Sequence, residues 1–392
     1  MMTEYKTEKL YYADSHILRF EAVLLRYDAL ADGRYAAVLD KTAFFPEGGG
    51  QLADTGFIGP AAVLDVQEKN GEILHYLSAD LSGALGQTLS CALDAEQRLR
   101  RMQNHSGEHI VSGLVHNAWG FENVGFHMSK GFMTIDFSGE LTWQQLLEVE
   151  RLANEAVRAN LPIRTYFPAP EELPHIEYRS KLELTENVRL VEIDGIDRCA
   201  CCAPHVHSTG EIGCIKILSC ERHRGGVRVE LVCGMDALDN FNARQQSVAA
   251  ISALLSAKRE EVTPAVEHLL AERDALKTRT TAIENEFIAL KAASCPETSG
   301  SHCFIFGSGE FSEGTLRELV NLLLPKAGSF AAAFWGDDAQ GYRYIIASRT
   351  QDMRAAAREI NTALNGRGGG RGEMISGSCN ASATTIRAFF SA

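Results

Sequence analysis

Short runs of alternating apolar and polar residues fill the first 90 or so positions of the chain. Examples are ILRFEAVLLRY at residues 17–27, RYAAVLD at 34–40 and AAVLDVQEK at 61–69. Asp-Gly, Gly-Gly and Asn-Gly pairs, which favour turns, break these runs. The pattern predicts a compact β domain over residues 1–93, built as a small barrel.

The next stretch mixes helical and strand-like periods. A helical pattern opens near Asp94, residues 131–139 read as a strand, and residues 141–160 have the spacing of an amphipathic helix. Further strands are predicted at 162–167, 188–193, 213–221 and 226–234, and the last two are separated by a turn containing Arg-Gly-Gly. Residues 94–238 are therefore expected to form an α+β domain.

A seven-residue repeat then marks a change of structure. Apolar side chains recur at every seventh position, at Val248, Leu255, Val262, Leu269, Leu276, Ile283 and Leu290. Such a stripe predicts long helices that pack as a coiled coil, and residues 239–296 are expected to connect domains and to support a homodimer, with packing of the helices on the neighbouring domain as the alternative. Thr263 and Pro264 suit the cap and first position of a helix, so two helices or one kinked helix are expected.

The last part of the chain, residues 297–392, alternates strand and helix patterns and predicts a small α/β unit. A glycine-rich loop at residues 366–372 follows a helix there. Phosphate-binding loops of nucleotide sites precede their helix, so this is not a nucleotide triphosphate site. Two roles are open for this loop. Its backbone could approach RNA closely, with Arg367 and Arg371 binding phosphate, or it could be a tight packing turn. The fold class expected for the whole chain is α+β.

Composition adds that this is an ordinary globular protein. The 392 residues are 45% hydrophobic and 23% charged, and ten are cysteines. Cys199, Cys201 and Cys202 crowd together, which fits metal ligation in a reducing compartment better than a disulfide framework. Cys91, Cys214, Cys220 and Cys233 are expected in the core. No apolar run approaches a membrane span and no signal sequence opens the chain, so we expect a cytoplasmic protein without a membrane partner.

The net charge of −13 is unevenly distributed. From residue 298 onward there are nine Lys and Arg against eight Asp and Glu, whereas the first 297 residues carry 29 against 43. Two local basic clusters exist, at residues 98–101 and 222–228, and either could be an ordinary solvated face. We expect local, shape-guided contact with RNA and no binding of DNA.

Four side chains have the spacing of a metal site. His105 and His109 lie four apart in a helical pattern, so both imidazoles emerge on one face. Cys201 and His205 lie four apart in a turn-like segment about 90 residues downstream. Three nitrogens and one thiolate suit Zn²⁺ better than Mg²⁺ or Ca²⁺, and we predict one Zn²⁺ per chain.

These motifs resemble those of a known family. HxxxH followed by CxxxHV and a Thr-Gly is similar to the editing domain of alanyl-tRNA synthetase and its free-standing relatives, the AlaX proteins. Residues 42–56, TAFFPEGGGQLADTG, resemble the glycine motif of that family, and residues 365–378 resemble the glycine-rich domain that closes the synthetase. The chain departs from the family after Arg371, where Met374 to Ser378 replace the usual Ala-Gln-Gly-Gly type of run.

The resemblance implies a trans-editing hydrolase that deacylates mischarged Ser-tRNA(Ala), with Gly-tRNA(Ala) left open. It implies that Gln51 and Thr42 face the zinc pocket as catalytic residues that sense a hydroxyl or orient water. Gly48, Gly49 and Gly50 would bind substrate. Activation of water by zinc and anchoring of substrate are equally open. Glu47, Asp54 and His127 are weaker candidates for the pocket.

Two other functions fit parts of the sequence. Residues 105–109 also match H-x-x-E-H, the inverted motif of zinc peptidases, in which Glu108 would be the general base. Such peptidases use another acidic ligand and have no use for Cys201 and His205. The second alternative is a tRNA-binding module with a purely structural zinc. Because the β domain starts almost at once, we expect no ATP-dependent charging of tRNA.

Overall fold

Six antiparallel strands near the N-terminus close into a barrel in the computed structural model, which describes residues 6–31, 33–129, 131–180 and 187–391. The barrel runs in the order β2-β3-β7-β6-β5-β8, and β1 pairs in parallel with β4. The first elements are β1 (Glu8–Lys9), α1 (Leu10–Ala13), β2 (Arg19–Ala29), β3 (Tyr35–Leu39), β4 (Lys41–Thr42), β5 (Gly56–Ile58), β6 (Ala61–Lys69), β7 (Glu72–Leu77) and β8 (Thr88–Leu93).

The apolar side chains of the alternating pattern fill the interior of the barrel. Ala22 and Leu24 on β2, and Ile73 and Leu77 on β7, point to the interior, where they are buried. Successive residues of a strand face opposite sides, so their polar neighbours remain outside. A closed barrel thus occupies the segment for which the pattern predicts one.

Two long helices and seven strands follow the barrel. They are α2 (Ala95–Trp119), β9 (Asn123–Ser129), β10 (Phe132–Phe137), α3 (Trp143–Ala159), β11 (Ile163–Tyr166), β12 (Leu190–Ile193), β13 (Asp197–Ala200), β14 (Ile215–His223) and β15 (Gly226–Cys233). The strands form a four-stranded sheet, β14-β15-β10-β9, and a three-stranded sheet, β11-β12-β13. The α+β character predicted for this part is confirmed.

Capping residues fix the ends of the helix that carries the first histidine pair. Asp94 precedes α2 and accepts a hydrogen bond from the backbone N–H of Gln97, and Gly120 ends the helix in the left-handed conformation. Helix α3 begins with a capping box formed by Thr142 and Gln145. Both helices pack on the four-stranded sheet through one continuous apolar core.

The chain divides into two compact units, residues 1–247 and 248–392. The remaining elements are α4 (Gly234–Leu255), α5 (Val262–Ala293), β16 (His302–Phe306), α6 (Glu313–Leu323), β17 (Ala331–Asp337), β18 (Gly341–Ala347), α7 (Met353–Ala363), β19 (Gly366–Arg371), β20 (Met374–Cys379) and α8 (Ala383–Ser391). Strands β16 to β20 form one sheet in the order β16-β17-β18-β20-β19. None of the helices described combines the length and apolar character that crossing a bilayer requires.

The heptad segment consists of two helices, α4 and α5, which was one of the two expectations; the other was a single kinked helix. The second helix begins at Val262 with Glu261 at its cap, so the prediction that Thr263 is the cap and Pro264 the first residue was wrong. Proline fits anywhere in the first turn, where the backbone N–H groups have no acceptor within the helix. Along α5 the heptad residues Leu269, Leu276, Ile283 and Leu290 are all exposed.

The glycine-rich segment is a strand and not a loop, which corrects the prediction. It forms the edge strand β19, paired antiparallel with β20, in which Gly368 lies opposite Gly377. A Cβ on Gly368 would come within 2.3 Å of the hydroxyl of Tyr344, which packs across this pair. The Tyr344 hydroxyl donates to Asn361, and Asn361 donates to the carbonyl of Gly368. The glycines therefore allow close packing.

The basic cluster at residues 98–101 is used inside the protein and does not form a free surface. Arg98 is fully buried and donates to Asp54 and to the carbonyl oxygens of Ser15 and Ala43. Arg100 pairs with Asp236 and Asp239, and Arg101 donates to the carbonyl of Ala53. Arg98 thus ties helix α2 to the barrel, and Asp54 is a structural partner.

Replacing Arg98 by Met should destabilise the N-terminal unit by about 3–5 kcal/mol, because it leaves the carboxylate of Asp54 buried with only the more distant guanidinium of Arg101, at 3.5 Å, as a cation. The free energy of unfolding is measured by urea denaturation in a Trp335→Phe background, in which fluorescence reports only Trp119 and Trp143. The control is Arg151→Met, which removes exposed ion pairs to Glu148 and Glu155 and should cost less than about 1 kcal/mol. Equal costs would contradict the assignment.

Candidate metal centre

The two predicted pairs of side chains converge. One ligand atom from each of His105, His109, Cys201 and His205 lies within 4.8 Å of every other. The Sγ atom of Cys201 is 3.5 Å from Nε2 of His105 and 3.4 Å from Nε2 of His205. All three imidazoles are buried. One turn of α2 presents the first pair, and the loop after β13 presents the second.

Each imidazole is held from outside by a hydrogen bond at its Nδ1 atom. Nδ1 of His105 is 2.9 Å from Oε1 of Gln51. Nδ1 of His109 is 2.8 Å from a carboxylate oxygen of Asp197, and Nδ1 of His205 is 3.0 Å from Oγ of Ser106. A proton on each Nδ1 leaves the Nε2 lone pair directed at the centre, which is the arrangement of metal-bound histidines.

The distances suit zinc. With Zn–N bonds of about 2.0–2.1 Å and a Zn–S bond of about 2.3 Å, tetrahedral ligation places sulfur and nitrogen about 3.5 Å apart. The two measured distances from Cys201 match that separation. The four residues therefore form a group that can hold a metal ion, and their donor set fits zinc.

The electrostatics of the group favour a thiolate. Burial alone would raise the pKa of Cys201, but the neighbouring imidazole of His105 and the hydrogen bond to His109 hold that pKa well below its usual range. Burial lowers the pKa of His205 to about 3, so this ring is neutral. Burial opposes protonation of His109 too, yet the hydrogen bond to Asp197 raises its pKa well above the ordinary value. A metal ion would replace the Nε2 proton of His109.

The glycine motif places Gln51 at the centre. Gly50 has a φ of +83°, and a Cβ there would lie 2.6 Å from the backbone oxygen of Phe126, so only glycine fits. The next residue, Gln51, is fully buried and contacts His105, but it is not part of the cavity wall described below. Its Nε2 atom has no hydrogen-bond partner among the described residues. Gly48 pairs with Gln51 across the tight turn, and Gly49 lines the cavity described below.

Other predicted residues lie elsewhere. The Thr42 hydroxyl is 2.8 Å from Nε2 of His75 in the barrel core, and Thr42 is not part of the cavity wall. His127 is exposed on β9, while its neighbour Phe126 is buried and lines the cavity. Glu47 is exposed and accepts a hydrogen bond from Gln67.

In the C-terminal unit, Arg367 lies in a separate, smaller depression with Trp335 and Arg343, and Arg371 ends β19.

A cavity of about 700 Å³ opens beside the ligand group. His105, His109 and Cys201 form part of its wall, together with the aromatic rings of Tyr12 and Phe167. Two guanidinium groups, of Arg179 and Arg189, also line it. The space is in the range of small-ligand sites, and water or substrate can reach the side of the centre that faces it.

Several of these residues were missed by sequence reasoning. Asp197 bridges His109 and Arg179, whose Nε donates to it at 2.8 Å. Arg189 braces the ligand loop by donating to the carbonyl oxygens of Cys201 and Ala203. Ser106 lies inside the first histidine motif, which is a signal that could have been used. The others are recognisable only from the folded contacts.

The cysteines agree largely with expectation. None of the ten, all of which lie within the described ranges, forms a disulfide. Cys91 and Cys233 are buried as predicted, Cys220 is half-buried and packs against the core, and the expectation of a core position was wrong for Cys214, which is half-buried. The second basic cluster is split, since Arg228 pairs with Asp136 while Arg222 is exposed.

Comparison with known proteins identifies relatives. Residues 188–230 match the family model of the threonyl and alanyl tRNA synthetase second additional domain. The chain is 27% identical over 390 residues to the alanyl-tRNA editing protein AlaX-L of Pyrococcus horikoshii, covering 94% of each chain. It is 35% identical over 284 residues to the alanine–tRNA ligase of Halobacterium salinarum, and 28% identical over 393 residues to that of Ignicoccus hospitalis. It spans 30% and 41% of these two ligases.

Replacing Cys201 by Ala should abolish stoichiometric metal binding, because the thiolate is one of the four donors. Zinc is measured by atomic emission on protein dialysed against a weak chelator, with about one ion per chain expected for the wild type. The matched control is Cys202→Ala, which removes the neighbouring thiol and should leave the zinc content unchanged. Retention of one zinc by Cys201→Ala would exclude this ligand set.

The outer hydrogen bond to His109 should contribute to affinity for the metal. Asp197→Asn is expected to weaken zinc binding by about 10–100-fold, since the carboxylate orients the ring and increases its basicity. Affinity is measured by competition with a chromophoric chelator. The control is Asp194→Asn, whose carboxylate pairs with Arg164 at the surface. Unchanged affinity in Asp197→Asn would show that the contact is incidental.

Proposed function

We propose that this chain, which is related along almost its whole length to the AlaX-type alanyl-tRNA editing proteins, hydrolyses mischarged Ser-tRNA(Ala) at a zinc centre. One observation carries the proposal. Two motifs about 90 residues apart converge into a buried group of three imidazoles and a thiolate, with an open cavity along one side. The ligand group can hold a metal, and the cavity has room for an ester beside it.

Such an enzyme corrects errors that arise because a site selecting alanine rejects serine only weakly. A pocket built for the methyl group of alanine rejects the added hydroxyl of serine by only about 10²-fold, so wrong esters form. A second site that hydrogen-bonds the hydroxyl can discriminate by about 10⁴-fold or more, because alanine leaves its polar groups unpaired. Removal of serine after charging then restores fidelity. Glycine attached to tRNA(Ala) stays a second possible substrate.

The residues of the centre have two roles: some would bind the metal and others orient the ligands. His105, His109, Cys201 and His205 would hold Zn²⁺, which supplies Lewis-acid chemistry toward a carbonyl or water when bound. Gln51, Asp197 and Ser106 keep the proton of each imidazole on its outer nitrogen. Burial of these groups excludes bulk water from the ligand side and strengthens their electrostatic interactions.

Gln51 is assigned a second role. Its Oε1 atom positions His105, and its Nε2 donor, which has no described partner, is assigned to a hydroxyl or a water at the centre, although Gln51 does not itself line the cavity. Its proximity to the ligand group supports the catalytic role that the resemblance implies. The contact of Thr42 with His75 in the barrel core favours a structural role for that hydroxyl instead.

Partners are proposed from the remaining features. tRNA(Ala) carrying the wrong amino acid is the substrate, with Arg367 and Arg371 of the C-terminal unit as candidate phosphate contacts. A homodimer through α5 and the C-terminal unit is proposed because Leu269, Leu276, Ile283 and Leu290 leave an exposed apolar stripe at heptad spacing.

Purified protein should hydrolyse Ser-tRNA(Ala) at least about 10²-fold faster than Ala-tRNA(Ala), as hydroxyl recognition requires. Release of labelled amino acid from each ester is followed under single-turnover conditions. Cys201→Ala should lose most of the serine activity, and Cys202→Ala should keep it. Equal rates on both esters would refute selective editing.

The same assay separates the two alternatives. A peptidase of the H-x-x-E-H type should cleave peptides and retain its zinc in Cys201→Ala. A module with a purely structural zinc should bind tRNA(Ala) and hydrolyse neither ester.

A further inference from the structure

The carboxylate of Glu108 lies beside the ligand group and has no part in it. Glu108 is the residue before His109 on α2, is 5% exposed, and forms part of the cavity wall. Its Oε2 atom is 3.8 Å from Nε2 of His109, the nitrogen that faces the centre. A ligand bound in the cavity next to the centre is therefore within reach of this oxygen.

The other carboxylate oxygen fixes the orientation. Oε1 accepts hydrogen bonds from the hydroxyl of Ser112, at 2.5 Å, and from the side-chain amide of Asn123. Asn123 is held in turn, since its Oδ1 atom accepts from the backbone N–H of Gly125. Two neutral donors thus occupy Oε1 and hold the group in a single rotamer. Oε2 remains directed at the cavity.

No described Lys or Arg pairs with this carboxylate. Arg179 of the cavity wall pairs with Asp197, and Arg189 donates to the carbonyl oxygens of Cys201 and Ala203. The guanidinium of Arg179 and the Zn²⁺ proposed for the centre offset part of the charge of Glu108, but no described side chain donates a hydrogen bond to its Oε2 atom. The wall therefore presents an acceptor for a positively charged group of the ligand.

We infer that Glu108 binds the α-ammonium group of the aminoacyl ester. The inference rests on the proposed function, because an aminoacyl ester carries its amino group only two bonds from the carbonyl carbon. A carbonyl placed beside the ligand group brings the ammonium close to the cavity oxygen of Glu108. A charge-assisted hydrogen bond of about 2.7–2.9 Å is the expected contact.

This contact gives the site a selectivity that hydroxyl recognition does not supply. Peptidyl-tRNA and N-acylated aminoacyl-tRNA carry the same ester, but their α-nitrogen is an uncharged amide. Glu108 would form no charge-assisted hydrogen bond with that nitrogen, so these molecules would bind more weakly than the free amine. The enzyme would then act on free aminoacyl-tRNA and spare chains in the course of synthesis.

The test measures binding by zinc-loaded full-length protein, using two non-hydrolysable probes in isothermal titration. One is 3′-deoxy-3′-(L-seryl)amino-adenosine and the other is its N-acetyl derivative. The wild type should bind the free amine at least about 10-fold more tightly than the acetylated probe, as a hydrogen bond between charged groups implies. Glu108→Gln should lose that difference and bind the N-acetyl probe as the wild type does.

Controls keep the result specific. The Glu108→Gln substitution retains the size of the side chain and an oxygen that can accept from Ser112 and Asn123, and zinc content is measured for every protein. Glu122→Gln is the matched variant, because Glu122 also lines the cavity but pairs with His116 at 3.0 Å. It should leave the preference for the free amine unchanged.

Four outcomes would overturn the inference. They are equal loss of affinity for both probes in Glu108→Gln, loss of zinc in that variant, and no preference for the free amine, or no binding of either probe, in the wild type. Failure of the proposed function has a different signature. A wild type that prefers the free amine but hydrolyses no Ser-tRNA(Ala) would retain the ammonium site and refute editing.

Discussion

The structure of the centre depends on three hydrogen bonds at the outer nitrogens of its histidines. An imidazole that can rotate or exchange tautomers is a poor ligand, and each ring here is fixed by a different part of the fold. Gln51 comes from the turn beyond β4, Ser106 from α2 itself, and Asp197 from β13. The donor nitrogens face one point only while all three elements are in place. Ligand geometry and tertiary structure are therefore coupled.

The same coupling explains the buried charges nearby. Arg98 links α2 to the turn that carries Gln51, through Asp54 and the carbonyl oxygen of Ala43. Arg189 holds the loop of Cys201, and Arg179 neutralises Asp197. A guanidinium offers five donors in a fixed plane, which lets one side chain satisfy several backbone and carboxylate oxygens. Arginines that appear as a basic cluster in the sequence serve here as internal braces.

How much of the fold and of the centre could be predicted depended on how far apart in the sequence the contacting residues lie. Alternation and helical spacing predicted the strands at residues 131–139, 213–221 and 226–234 and the helix at 141–160, because those patterns record which face is buried. The four ligands were predictable because each pair is local. The location of Thr42 and the partners of His109 depend on residues far away in the chain. The glycine run was taken as a loop because its pairing with β20 and the packing of Tyr344 leave no local signature.

The barrel is more than a neighbour of the centre. It supplies the amide that orients His105, and Ser15 of the adjoining segment donates to the backbone carbonyl of His205 at 2.6 Å. A gene fragment that encoded only the two ligand motifs would deliver the donor atoms without the groups that aim them. Through recombination, this chemistry can move between polypeptides only as a cassette that includes both halves.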